Sequence, residues 1–140
     1  MEFPQTREEL SIYLEHTDKE TTIIKLTASW CGPCKTVKPI IQALNEHYAK
    51  KGVSFEYIEI DVDEALDLFS FFKRMKMAVG IPTFLTFKKE LFSPDHFYVP
   101  YRCFTGADQN LLKAFYAESL GAMVWRIIGT IVWTIVWRIV

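Results

Sequence analysis

Apolar positions recur with a helical period in some stretches of the chain and alternate or run together in others. Leu10, Ile12, Tyr13 and Leu14 follow Thr6-Arg7-Glu8-Glu9, where a Thr stands three places before a Glu. That pair reads as a capping box, so a helix is predicted at about 7–16. Thr21 to Ala28 (TTIIKLTA) is β-branched and mostly apolar, as a buried strand is. Val37, Ile40, Ile41, Leu44 and Tyr48 are spaced for a helix reaching Lys50. Pro39 should kink it, and Lys50-Lys51-Gly52 ends it. Val53 to Ile60 (VSFEYIEI) alternates and predicts a strand. Asp61-Val62-Asp63-Glu64 reads as a turn and cap into a helix at about 64–76. Thr83 to Phe87 and Tyr98 to Thr105 read as strands, Gly106 as a break, and Asp108 as the cap of a helix at about 109–119. Strands and helices alternate first and a hairpin follows, which predicts an α/β sandwich around a mixed sheet.

Composition narrows the function classes. The 140 residues suffice for one domain with a modest core. Half of them are hydrophobic and the net charge is −1, which excludes a disordered chain and a basic nucleic-acid binder. Three cysteines are too few for a disulfide scaffold and fit a reducing compartment better. The stretch Met1-Glu2-Phe3-Pro4-Gln5 has neither a basic region before an apolar run nor an Arg-rich character. The expectation is therefore a cytoplasmic protein.

The densest chemistry lies in Trp30-Cys31-Gly32-Pro33-Cys34-Lys35. Two residues between the cysteines let the sulfurs close a small disulfide ring and reopen it. The predicted helix start offers unpaired N–H groups and a partial positive charge, which favour a thiolate. The thiolate is the attacking species in exchange, so Cys31 is the expected nucleophile and Cys34 the resolving thiol. Pro33 suits the first turn. Half of a zinc site is the competing reading, but Cys103, His16, His47 and His96 are scattered without ligand spacing. A purely structural disulfide this tight would close almost no loop and stabilise little.

Composition shifts abruptly after Leu120. Residues 121–140 contain no acidic residue and nearly repeat every four, as Trp125-Arg126-Ile127-Ile128 and Trp137-Arg138-Ile139-Val140 show. On a helix, Arg126, Thr130, Thr134 and Arg138 form one polar stripe. Such a helix over 123–140 would reach about 27 Å at about 1.5 Å per residue, barely the ~30 Å hydrocarbon core. Its arginines would snorkel and its tryptophans sit at the interface, which gives a membrane contact or tail anchor. The same segment also reads as a β-branched strand for a protein contact, or as an appended segment. The expected division is a folded domain over 1–120 and a tail over 121–140.

The order of elements and four motifs resemble the thioredoxin family. They are Trp30-Cys31-Gly32-Pro33-Cys34-Lys35, Asp61-Val62-Asp63, Gly80-Ile81-Pro82-Thr83 and Phe104-Thr105-Gly106-Ala107. The likeness covers about residues 6–120. It implies a thioredoxin-like fold, a central mixed sheet flanked by helices. It also implies a cis peptide at Ile81-Pro82 facing the cysteines, which exposes the Ile81 N–H and C=O to an extended substrate strand. Trp30, Gly32 and Pro33 would form the rim that recognises the partner.

The chain departs from the pattern at Lys25, where the family carries a buried aspartate six residues before the first cysteine. A buried lysine favours its neutral form. Lys25 would act as a base, act as a cation favouring the Cys34 thiolate, or sit partly wet and do nothing. Leu68 to Val79 and Leu91 to Tyr101 look like insertions that either reshape the partner surface or decorate it. Cys103 reads as a buried inert thiol, with a regulatory thiol as the other reading.

The resemblance implies a protein-disulfide reductase that works through the Cys31/Cys34 dithiol and a mixed disulfide, with no bound cofactor and no metal. Its partners would be disulfide-containing proteins and a thioredoxin reductase or equivalent donor. The rival is a binding module whose fold presents the tail to a membrane or partner. The resemblance also disfavours a thiol oxidase or isomerase, since Gly32-Pro33 between the cysteines goes with reducing enzymes in this family.

Overall fold

The computed structural model describes residues 3–121. The expectations for 122–140, helical, strand or membrane-contacting, fall outside the described residues. Ten short elements follow one another: α1 (Arg7–His16), β1 (Thr21–Thr27), α2 (Gly32–Thr36), α3 (Lys38–Lys50), β2 (Phe55–Asp61), α4 (Leu66–Arg74), β3 (Thr83–Lys88), a 3₁₀ turn (Lys89–Leu91), β4 (Arg102–Thr105) and α5 (Gln109–Leu120). The sheet order is β2-β1-β3-β4. β1 pairs with β2 in parallel and with β3 antiparallel, and β4 closes the hairpin. This is the expected mixed sheet of an α/β sandwich.

β1 lies between two strands with a layer on each face, so its residues are buried from Thr21 to Leu26. On one face Ile24, Leu26, Ile58, Ile60 and Leu85 pack against Leu10 and Leu14 of α1 and Leu68 and Phe72 of α4. On the other, Ile23 and Phe84 pack against Val37 and Ile41 and against Leu112, Phe115, Tyr116 and Leu120 of α5. Alternation along each strand assigns neighbouring residues to opposite cores.

Local chemistry fixes the element ends. Thr6 Oγ1 accepts from the Glu9 N–H at 3.2 Å, so the expected N-cap forms. The Glu9 carboxylate reaches back one residue further than a simple capping box, to the Gln5 N–H at 2.8 Å. At the end of α3 the Gly52 N–H donates to Ala49 O and the Val53 N–H to Tyr48 O, with Gly52 at φ +76°. That left-handed closure suits glycine, which has no Cβ to clash.

Three expectations need correction. The helix after the cysteines is broken at Val37 into α2 and α3. Pro39 has no N–H to carry the ladder across, and it serves instead in the first turn of α3. The last hairpin strand is only Arg102–Thr105, not Tyr98 to Thr105. Pro100 lacks a ladder donor, and Tyr98 instead meets Phe71 edge-on at 5.1 Å. Cys103 is exposed, not buried. It lies on the edge strand, and no β4 residue joins the core under α1 and α4.

Glu56 ties α1 to the sheet. Its carboxylate accepts from Tyr13 Oη (2.8 Å), Thr17 Oγ1 (2.6 Å) and Thr22 Oγ1 (3.1 Å). Burial and this carboxylate together push the Tyr13 phenol pKa up, so it stays a neutral donor. Glu56→Ala leaves three hydroxyls without their acceptor. It should lower stability by about 1–3 kcal/mol, read as a lower urea midpoint at unchanged m-value. An unchanged midpoint would show that water replaces the carboxylate fully.

Candidate active site

The site is built where two loops meet at one end of the sheet. β1 runs toward Ala28-Ser29-Trp30-Cys31, and antiparallel β3 starts at the same end just after Pro82. The register pairs Leu26 with Thr83, so the loops that follow β1 and precede β3 meet at one end of the sheet. Cys31 Sγ lies 3.9 Å from the Ile81 carbonyl oxygen.

Cys31 and Cys34 are joined by a disulfide, with Cα atoms 5.3 Å apart, within the usual span. Cys31 is the N-cap of α2, and the Cys34 N–H donates to Cys31 Sγ at 3.2 Å. In the reduced state the same N–H would point at a thiolate, and charge-assisted hydrogen bonds of this kind lower a thiol pKa. Cys31 is 4% exposed and Cys34 only 1%. Gly32 and Pro33 are exposed, and a Cβ on Gly32 would meet nothing within 4 Å.

Trp30 is 66% exposed although its indole N–H donates to Asp63 Oδ2 at 2.8 Å. Asp61 Oδ1 accepts from the Asp63 N–H at 2.8 Å and closes that turn. These carboxylates therefore brace Trp30 and the turn rather than cap α4, whose N-cap is Ala65 without a side-chain bond. That corrects the expected cap at 61–64. Val79 is 78% exposed and Ile81, whose carbonyl approaches Cys31, is half-buried.

The Ile81-Pro82 peptide is cis, as expected. Three contacts hold its loop. Thr83 Oγ1 donates to Gly80 O at 2.6 Å, the Thr83 and Thr105 hydroxyls lie 2.7 Å apart, and the Gly106 N–H donates to Pro82 O at 3.0 Å. Gly106 sits at φ +136°, a conformation open to glycine. Thr83 and Thr105 stand inside two of the motifs that carry the family likeness, but the sequence assigns neither a role; only their place beside Pro82 and Gly106 hints at the brace.

Lys25 is fully buried, at 0% exposure. Its Nζ donates to Cys34 O at 2.9 Å and lies 3.6 Å from Glu59 Oε1. Burial pulls the ammonium pKa down, Glu59 pushes it up, and the charge of Lys38 lowers it again. Lys25 is thus coupled to the second cysteine through the backbone and is not partly wet. Glu59 is the residue that sequence reading passed over. The alternation of VSFEYIEI marked it as a polar strand position, but only the strand register brings it opposite Lys25.

The two expected insertions fall in different places. Leu68–Arg74 lies within α4, whose following turn leads to Gly80 and Ile81. Leu91 to Tyr101 sits at the opposite end of β3, where it helps enclose a cavity of about 370 Å³ with Leu14, Thr22 and Phe87. It does not flank the cysteines. Among the described residues no cluster of ligating side chains suits a metal ion, and no helix is long and apolar enough to cross a membrane.

The site thus sets a disulfide-bonded cysteine pair at a helix start beside a cis proline. A thioredoxin family model matches residues 4–99. Rabbit (Oryctolagus cuniculus) thioredoxin is 34% identical over 107 residues, which cover 76% of this chain and 87% of that protein. A Chlamydomonas reinhardtii H-type thioredoxin is 31% identical over 103 residues, 71% of this chain and 75% of that one. The match to pig (Sus scrofa) thioredoxin is 34% over 76 residues; it covers 54% of this chain and 65% of the pig protein, just under two thirds of its length. Among solved structures, the germline-specific thioredoxin Deadhead of Drosophila melanogaster superposes with a TM-score of 0.59 at 24% identity, covering 84% of this chain and 98% of that one. Fasciola hepatica thioredoxin gives 0.60 at 20% identity, over 85% and 99%. At those identities the structures speak to the fold alone, and they agree with it. Sequence match and fold together place the chain in the thioredoxin family.

Proposed function

We propose that the chain reduces disulfides in protein partners. The observation that carries this reading is the Cys31–Cys34 pair, with the Cys34 N–H aimed at Cys31 Sγ. In the dithiol state the Cys31 thiolate attacks one sulfur of a partner disulfide. The new bond is a mixed disulfide, and the other partner sulfur leaves as a thiolate. Cys34, deprotonated, then attacks Cys31 Sγ. The Cys31–Cys34 bond forms, the mixed disulfide breaks, and the second partner thiolate leaves. The partner gains two electrons and the pair loses two, so an external donor must restore the dithiol. A thioredoxin reductase or equivalent fills that place.

Trp30, Gly32 and Pro33 supply the surface around the attacked sulfur. The cis Ile81-Pro82 loop offers the Ile81 backbone to an extended partner segment. Support for that role is the position of the Ile81 carbonyl oxygen, 3.9 Å from Cys31 Sγ. Lys25 acts as a buried cation that favours the Cys34 thiolate, supported by its bond to the Cys34 carbonyl. Residues 1–120 form the redox unit, and the pattern in 123–140 supports a membrane contact by the tail.

Three measurements test this. Cys31→Ser should abolish reduction of insulin disulfides, and Cys34→Ser should accumulate a mixed disulfide on Cys31; parent-rate turnover by Cys31→Ser would sink the reading. Liposome co-sedimentation should pellet the full chain and not a form ending at residue 120, whereas equal pelleting removes the membrane contact. The third concerns Lys25. Its folded pKa is lowered, so between that value and about 10.4 the unfolded chain holds the extra proton. The resulting destabilisation is complete below the folded pKa and fades as pH rises through that window. The stability of Lys25→Met relative to the parent should therefore fall as pH rises, read from urea midpoints; a pH-independent difference would contradict a buried ammonium.

A further inference from the structure

Lys25 is sealed from water and bonds the Cys34 carbonyl, and a buried charge needs a neighbour that holds it and a route by which its proton exchanges. We propose that Glu59 is a positioning residue for the resolving step: its carboxylate holds the Lys25 ammonium against the Cys34 carbonyl and links that ammonium to water at the sheet edge. The proposal rests on the reading of Cys34 as the resolving thiol.

The geometry gives each half of the role. Lys25 and Glu59 are direct partners in the parallel β1–β2 register, so the backbone sets their approach. The ammonium stands between two oxygens, Cys34 O at 2.9 Å and Glu59 Oε1 at 3.6 Å. Tyr57 Oη donates to the same Glu59 Oε1 at 2.8 Å and orients the carboxylate. Burial and Glu59 together raise the Tyr57 phenol pKa far above its ordinary value, so it remains a donor. The Glu59 side chain is 35% exposed while Lys25 is sealed. Glu59 also lines an open recess of about 290 Å³ with Gln5, Asp61 and Glu64. Glu59 thus stands between that solvent-facing recess and Lys25.

The other ionisable groups around Lys25 do not substitute for Glu59. β1 carries none besides Lys25, and the β3 residue opposite it is Phe84. Cys34 of α2 meets it through its carbonyl, Lys38 from α3 acts against its charge, and Tyr116 on α5 donates to Asn45 Oδ1 at 2.7 Å. Without the carboxylate, burial and Lys38 both push Lys25 toward the neutral amine. Cys34 then loses a nearby cation, and its thiol ionises at higher pH.

The test compares the parent, Glu59→Gln and Glu59→Asp, all with Cys103→Ser so that the exposed free thiol does not react. Stopped-flow mixing of the reduced protein with a dithiobis(nitrobenzoate) releases thionitrobenzoate in two phases. The first forms the mixed disulfide on Cys31, and the second reports the Cys34 attack that displaces the remaining thionitrobenzoate. NMR of the Lys25 side chain reads its titration directly. Glu59→Gln should lower the Lys25 midpoint and move the second-phase pH profile to higher pH. The second phase should slow on the order of three- to tenfold at neutral pH, as the thiolate fraction falls. The first phase should not change, and Glu59→Asp should recover part of both effects. An unmoved Lys25 midpoint overturns the proposal, and so does a moved midpoint with an unmoved second-phase profile. A second phase that persists in Cys34→Ser overturns the underlying reading of Cys34, and the Glu59 role falls with it.

Discussion

Everything at the site depends on the pairing of β1, parallel to β2 on one side and antiparallel to β3 on the other. The antiparallel side turns the chain so that Cys31 and Pro82 arrive at the same end of the sheet. The parallel side puts Glu59 opposite Lys25. Burial of β1 on both faces locks the register, because a one-residue slip would exchange Ile23 and Ile24 between two separate cores. The geometry of the site is therefore a consequence of core packing.

That packing encloses a lysine where an apolar residue would fit more cheaply. Removing an ammonium from water is unfavourable unless partners replace the solvent. Lys25 finds two, a carbonyl of the second cysteine and a carboxylate of the neighbouring strand. One side chain thus fills the core and ties the second cysteine's backbone to the neighbouring strand. The brace around Pro82 shows the same economy, since Thr83 lies in β3 and also fastens the loop before it.

Much of this was legible in the residue order because it is local. The Thr6 cap, the β-branched run of β1, Gly52 at a helix end and Asp108 before α5 act within a few residues, and each stands where its pattern placed it. Trp30-Cys31-Gly32-Pro33-Cys34-Lys35 carries its chemistry in its spacing, and Ile81-Pro82 was legible through family likeness. What escaped depends on distance. Glu59 meets Lys25 only through register. Cys103 is bare because β4 is an edge, a property of sheet order rather than of its own strand. Tyr98 left the predicted strand for a ring contact with Phe71, a tertiary preference that alternation cannot reveal.

The contact from the Gly106 N–H to Pro82 O, with the Thr105 hydroxyl beside it, reaches past the end of the family match at residue 99. A boundary drawn at that match would keep both cysteines and the proline and cut away what steadies the proline loop. It would also strip α5 from one face of the sheet and expose Ile23 and Phe84. Anyone excising this unit, or grafting its redox loop into another protein, must carry the chain through the end of α5 to keep the two loops in register.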